Sequence, residues 1–197
     1  QLTIILAKAN MLIFLSELLT KNPNMSTKFA ELFNSTFKLN SKTILGTLSQ
    51  TDHDQYDLIL TNPPYVTSGS SNYKNAIKEN SDLEKFYKIN ALGVESLFLE
   101  WIVNSLKPSK KAFVIIPDGI LNRHDNKLRE FIKKECIIDG IISLPVNAFY
   151  TTPKKTYVLA ITKKSFGSST ERQKTPQIEN VFTYLASSVG ETLDAKR

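Results

Sequence analysis

The sequence predicts an α/β fold: a mostly parallel sheet with a C-terminal antiparallel strand, interleaved with helices. Three observations carry this. Four short, apolar, β-prone runs at 57–61, 112–116, 137–144 and 157–162 read as buried strands. Apolar residues recur at helical spacing from Leu2 to Leu15, from Asp82 to Leu106 and from Asn126 to Lys134. The first run, Tyr56 to Thr61, delivers Asn62-Pro63-Pro64-Tyr65 at its carboxyl end, the edge at which open α/β sheets bind ligands. That run therefore reads as a central parallel strand.

The chain enters helix at once, with Leu2, Ile5, Leu6, Ala9, Leu12, Ile13 and Leu15 at the spacing of an amphipathic or buried helix. Asn22-Pro23-Asn24 is a turn, and Phe29, Leu32, Phe33 and Phe37 mark one short amphipathic helix after it. Thr43 to Leu48 reads as a short strand and turn around Gly46. After the tetrapeptide, Thr67-Ser68-Gly69-Ser70-Ser71-Asn72 is a hydrophilic loop. The segment Asp82 to Leu106 reads as helix, with Leu83, Phe86, Leu97, Phe98, Trp101 and Ile102 on its apolar face and Lys107-Pro108-Ser109-Lys110-Lys111 ending it. The runs 137–144 and 157–162 are expected to be antiparallel neighbours, and Ser165 to Thr175 a surface loop.

Composition fits one domain over 1–197, 41% hydrophobic and long enough to bury a core. No apolar run reaches the ~18–20 residues of a membrane span, and the first stretch is broken by Lys8 and Asn10. The single cysteine, Cys136, excludes an internal disulfide and fits a reducing compartment. A net charge of +6 is compatible with a polyanionic partner without requiring one. His53 and His124 are isolated from each other, so no metal site is expected.

The tetrapeptide is the residue pattern with a chemistry attached. Each proline fixes its own φ and holds the residue before it extended, so the turn is stiff. An exocyclic or amide nitrogen is a poor nucleophile because its lone pair is delocalised. Two acceptors on its N–H bonds, the Asn62 side-chain oxygen and the Pro63 carbonyl, favour a pyramidal nitrogen whose lone pair turns toward an incoming methyl group. Tyr65 offers a flat face on which a planar substrate stacks, worth roughly 1–3 kcal/mol for a base.

From Asp57 to Tyr65 the chain resembles the catalytic motif of N6-adenine DNA methyltransferases, in particular the modification subunit of type I restriction-modification systems. The segment Lys111 to Leu121, with its Pro117-Asp118-Gly119 turn, resembles that family's next strand and Pro-x-Gly turn. Ile137 to Pro145, Asn147-Ala148-Phe149 and Lys155 to Ile161 follow in the family's order, and Gly190 to Arg197 resembles the segment after its last sheet strand. The resemblance implies a Rossmann-like S-adenosylmethionine-dependent methyltransferase fold and transfer of methyl to N6 of adenine in DNA. It also implies cytoplasmic work with a specificity subunit and a restriction subunit.

By the same resemblance Asn62, Pro63, Pro64 and Tyr65 are catalytic, and Phe149 packs the second face of a flipped adenine, with Tyr150 as the competing aromatic. Lys154 and Lys155 would meet phosphates or form a solvated turn. Thr47 and Leu48 take the place of the family's cofactor contact, although the family carries an acidic residue where Thr47 follows Gly46. The family's glycine-rich cofactor turn has no counterpart among the seven glycines. The chain is thus expected to be the catalytic part of a methyltransferase domain whose first two strands lie upstream, with 43–48 displaced or unpaired and with weak cofactor affinity on its own.

Two other readings stand beside this one. The tetrapeptide also serves methyltransferases acting on protein glutamine or on RNA bases, and the polypeptide could be a non-catalytic packing module. The long insertion from Val66 to Lys88 and the second aromatic favour a base.

Overall fold

The computed structural model describes residues 2–22, 24, 26–36, 44–65, 70–89, 91–149, 153–165 and 176–189. Thr43, Phe37, residues 66–69, Tyr150, residues 166–175 and the tail from Gly190, all of which carried expectations, lie outside them. Two compact units divide the chain, Gln1–Gly46 and Thr47–Arg197.

The first unit holds helices α1 (Leu2–Lys21) and α2 (Ser26–Thr36). Inside it the Lys8 ammonium sits 5.5 Å over the Phe33 ring, which packs 5.2 Å from Phe29. The stripe expected on α1 is exposed at Ile5, Leu6, Leu12 and Ile13. Among the described residues of this unit, α2 is the one other α-helix.

The second unit is built on strands β1 (Tyr56–Thr61), β2 (Leu106–Pro117), β3 (Cys136–Ser143), β4 (Thr156–Lys163) and β5 (Phe182–Leu185). Their order is β1-β2-β4-β3-β5. β1 runs parallel to β2 and β5 parallel to β3, while β4 lies antiparallel between β2 and β3. Four strands therefore point one way and β4 alone is reversed, as the sheet read from the sequence requires. Helices α5 (Val94–Ser105) and α7 (Lys127–Glu135) pack on β2 and β3 and on each other, and the short α6 (Gly119–Asn122) follows β2. Leu99, Ile102, Val103, Leu106, Val114, Ile116 and Ile161 fill the core between them.

β1 is an edge strand among the described residues, not a central one, and only Ile59 of its run is buried. An apolar run reads as two-sided burial only if both faces are covered; here Leu58 and Leu60 stay exposed. Residues 44–48 form a turn and the start of a 3-10 turn, Gly46–Ser49, instead of a strand. They lie outside the sheet, which agrees with their expected displacement. Residues 70–72, expected in a loop, open helix α3 (Ser70–Lys78).

The long helix expected from Asp82 to Leu106 is broken into α4 (Ser81–Phe86) and α5. At the break Tyr87 turns extended and donates its hydroxyl to the Leu48 carbonyl at 2.8 Å. The backbone N–H groups of Lys88 and Ile89 donate to the Glu100 carboxylate at 2.6 and 3.2 Å. Gly93 then adopts φ 86, closed to other residues, and starts α5. Long-range partners thus outweigh local helix propensity. Lys107 to Lys110 loop out within β2, with Ser109 at φ 62, and Lys107 and Lys110 close the bulge onto Asp57 at 2.7 and 3.2 Å.

Two expected outcomes follow from this break. The Asn80 side chain accepts from the Asp82 and Leu83 N–H groups and caps α4. Asn80→Ala should cost about 1 kcal/mol in urea unfolding. Burial pushes the Glu100 carboxyl from 4.5 up to about 7, against the pull of the two N–H donors. An acid whose native pKa is raised holds its proton more tightly when folded. Its stabilising contribution is whole below about pH 4.5, falls as pH rises, and is lost above about pH 7. Glu100→Gln removes this titration. The stability of the wild type relative to that variant should therefore drop by about 3 kcal/mol between pH 4.5 and pH 8, read from paired denaturation curves; parallel profiles would refute it.

Candidate active site

The sheet's directions gather the candidate residues at one edge. β1 and β2 end there at Thr61 and Pro117, β3 ends there at Ser143, and reversed β4 begins there at Thr156. Asn62 to Tyr65, Asp118-Gly119, the loop through Phe149, and Lys154-Lys155 are consequently neighbours in topology. Asp118 N–H donates to the Lys155 carbonyl at 3.1 Å and Leu144 N–H to the Thr156 carbonyl at 3.0 Å, tying the turns together.

Within the tetrapeptide Pro63 is buried, Asn62 and Pro64 are exposed and Tyr65 is half-buried. The Tyr65 hydroxyl donates to the Asn62 side-chain oxygen. That bond fixes which end of the amide is the acceptor and leaves its second lone pair for another donor. Burial raises the Tyr65 phenol to about 12, so it remains a donor throughout the neutral range.

A cavity of about 320 Å³ opens beside Tyr65, lined by Glu95, Pro117, Asp118, Gly119, Arg123, Lys154 and Lys155. Both Asp118 carboxylate oxygens have a partner: one accepts from the Tyr157 hydroxyl at 2.9 Å and the other from the Asn122 amide at 2.5 Å. The first bond also raises the Tyr157 phenol pKa. Lys155 donates to the Leu144 carbonyl and stands 5.7 Å over the Tyr157 ring, so it clamps the loop. A larger cavity of about 490 Å³, lined by His53, Glu100, Asn104 and Lys163 among others, lies where β1 begins and β4 ends, at the other end of the sheet. None of the tetrapeptide lines it.

Phe149 is half-buried in the loop after β3, at the tetrapeptide's edge but not among the cavity's lining residues. Tyr150 lies outside the described residues. Leu48 is fully buried, its carbonyl taken by Tyr87, and Thr47 is half-buried in the 3-10 turn. Neither lines the cavity at Tyr65. Glu95 and Arg123, which do, went unnoticed in the sequence. A lone glycine before a helix, Gly93, was the available signal for the first, and the Pro-x-Gly turn for the second. Among the described residues no cluster of His, Cys, Asp and Glu could hold a metal ion, and no helix is long and apolar enough to cross a membrane.

The model of the N-6 DNA methylase family matches residues 1–191. The methylase subunit of the type I restriction enzyme EcoEI from Escherichia coli is 31% identical over 113 residues, 56% of this chain and 21% of that protein. The corresponding EcoKI subunit of Escherichia coli K12 is 25% identical over 108 residues, 54% of this chain and 18% of its own length. The chain thus spans about a fifth of the curated relatives it matches. A putative class I S-adenosylmethionine-dependent methyltransferase from Listeria monocytogenes superposes with a TM-score of 0.54 at 22% identity, over 74% of this chain and 41% of that one. This is a likeness of fold.

Proposed function

Since the chain belongs to the N-6 DNA methylase family, we propose that it carries the adenine-holding catalytic residues of an adenine-N6 DNA methyltransferase of a type I restriction-modification system. The observation that carries this is the stiff Asn62-Pro63-Pro64-Tyr65 turn at the carboxyl end of β1, its Asn62 acceptor held by the Tyr65 hydroxyl beside an open cavity. Asn62 and the Pro63 carbonyl receive the two N–H bonds of the adenine amino group, and the Tyr65 face takes the ring. Phe149 closes over the second face, with Tyr150 the competing aromatic for that role. The residues 1–197 belong to one methyltransferase domain, a reading supported by the extent of the family match.

S-adenosylmethionine is the proposed donor, supported by the family and by the fold likeness; when bound it supplies an electrophilic methyl group. The residues present fit it in part only. Thr47, half-buried in the 3-10 turn, is the proposed contact, while Leu48 is sealed and contributes packing. The partners proposed are DNA, a specificity subunit and a restriction subunit, in the cytoplasm, supported by relatives that are methylase subunits of type I restriction enzymes.

The test is methyl incorporation by the full-length protein with its specificity partner. Labelled S-adenosylmethionine should place the label on N6 of adenine in duplex DNA. Label on protein glutamine or on RNA, with none on DNA, would overturn the assignment.

A further inference from the structure

The pair Glu95–Arg123 is the least explained part of the cavity beside Tyr65. Glu95 is 3% exposed. One of its oxygens accepts from the Arg123 guanidinium; the other is buried without any partner among the described residues. Two glycines make room for the pair. A Cβ at Gly93 would stand 2.6 Å from the Glu95 carboxylate, and one at Gly119 would stand 3.1 Å from the Arg123 Nε. Arg123 is therefore laid flat against the Pro117-Asp118-Gly119 turn.

Arginine has five N–H donors in a fixed plane. Two of Arg123's are used, one on Glu95 and one on the Leu92 carbonyl at 3.0 Å. The other three have no acceptor among the described residues, although the side chain is only 24% exposed and lines the cavity. The position of its backbone is fixed as well, since Arg129 donates to the Ile120 and Arg123 carbonyls at 3.2 and 2.7 Å. A guanidinium whose charge is already balanced by a buried carboxylate suits a neutral, planar acceptor better than an anion. Beside an aromatic face, the acceptor that fits is a heterocycle ring nitrogen.

We propose that Arg123, positioned by Glu95, donates a hydrogen bond to a ring nitrogen of the purine held against Tyr65 and so selects adenine by more than its amino group. This rests on the adenine reading above. The test is single-turnover methyl transfer by the full-length protein with its specificity partner, on duplexes whose target adenine is replaced in turn by 1-deaza-, 3-deaza- and 7-deaza-adenine. One of the three should be methylated roughly tenfold more slowly than adenine by the wild type. Arg123→Gln should lose a similar factor on adenine and nothing further on that analogue. Glu95→Gln, which keeps the donor but loosens it, should fall between, with Arg123→Lys failing to restore the rate.

If all three analogues react at adenine's rate in the wild type, the inference is wrong even though the adenine assignment stands; this arm needs no variant to fold. It is equally wrong if the slow analogue costs Arg123→Gln the same factor as the wild type. A wild type that methylates no adenine in DNA overturns the function itself, and the inference with it.

Discussion

Asn62→Ala should lower the rate of the methyl-transfer step by roughly 10²–10³, the loss seen when one preorganised polar contact to the reacting group is removed. The substitution takes away the acceptor that Tyr65 now holds in place and leaves both prolines and the aromatic face. The loss therefore belongs in single-turnover rate, with DNA affinity little changed. Tyr65→Phe separates the two roles of its neighbour. It keeps the stacking face and removes the hydroxyl that orients Asn62, so the rate should drop by less than about tenfold. Tyr65→Ala should cost roughly 1–3 kcal/mol, seen mainly in holding the extruded base. Wild-type rates in Asn62→Ala would remove the tetrapeptide from the chemistry altogether.

Trp101→Ala should destabilise the second unit by about 3–5 kcal/mol, the range for emptying a large aromatic site in a core. The indole is buried on α5, its ring 5.8 Å from Tyr56 of β1, and its N–H donates to the Gln50 carbonyl at 3.1 Å. It therefore ties α5 to one segment far upstream in sequence, the start of β1 and the lead into it. Truncation leaves a cavity and removes the donor to a half-buried carbonyl together. Urea unfolding followed by far-ultraviolet circular dichroism measures the effect, and a loss under about 1 kcal/mol would mean the site collapses around the smaller side chain.

What the sequence disclosed and what it hid divide along physical lines. Strands β2 and β4 were legible because their buried positions are filled by Ala112, Val114, Ile116, Leu159 and Ile161, side chains that a covered sheet accommodates, and β3 because Ile137, Ile138, Ile141 and Ile142 give it a β-prone apolar run. The tetrapeptide was legible because two prolines leave its backbone almost no choice. The break between α4 and α5 was not, since Tyr87, Lys88 and Ile89 are turned by partners at Leu48 and Glu100, far along the chain. β5 escaped because all four of its residues are exposed and it holds its place by pairing with β3. Glu95 escaped for a related reason: a carboxylate in a helix reads as a solvent-facing charge, and only the guanidinium arriving from beyond β2 explains its burial.

The reversal of β4 has an architectural consequence. Because Ser143 pairs with Tyr157 in an antiparallel ladder, the connection 144–155 is anchored at both feet on the edge that carries the tetrapeptide. In a wholly parallel sheet the same connection would have to cross to the opposite end of the sheet, and its minimum length would be set by that passage. Here it is a hairpin connection, free to lengthen or change composition without moving a single rung of the sheet. The turn after β1 and the connection after β3 can therefore evolve, or be engineered, as separate variables.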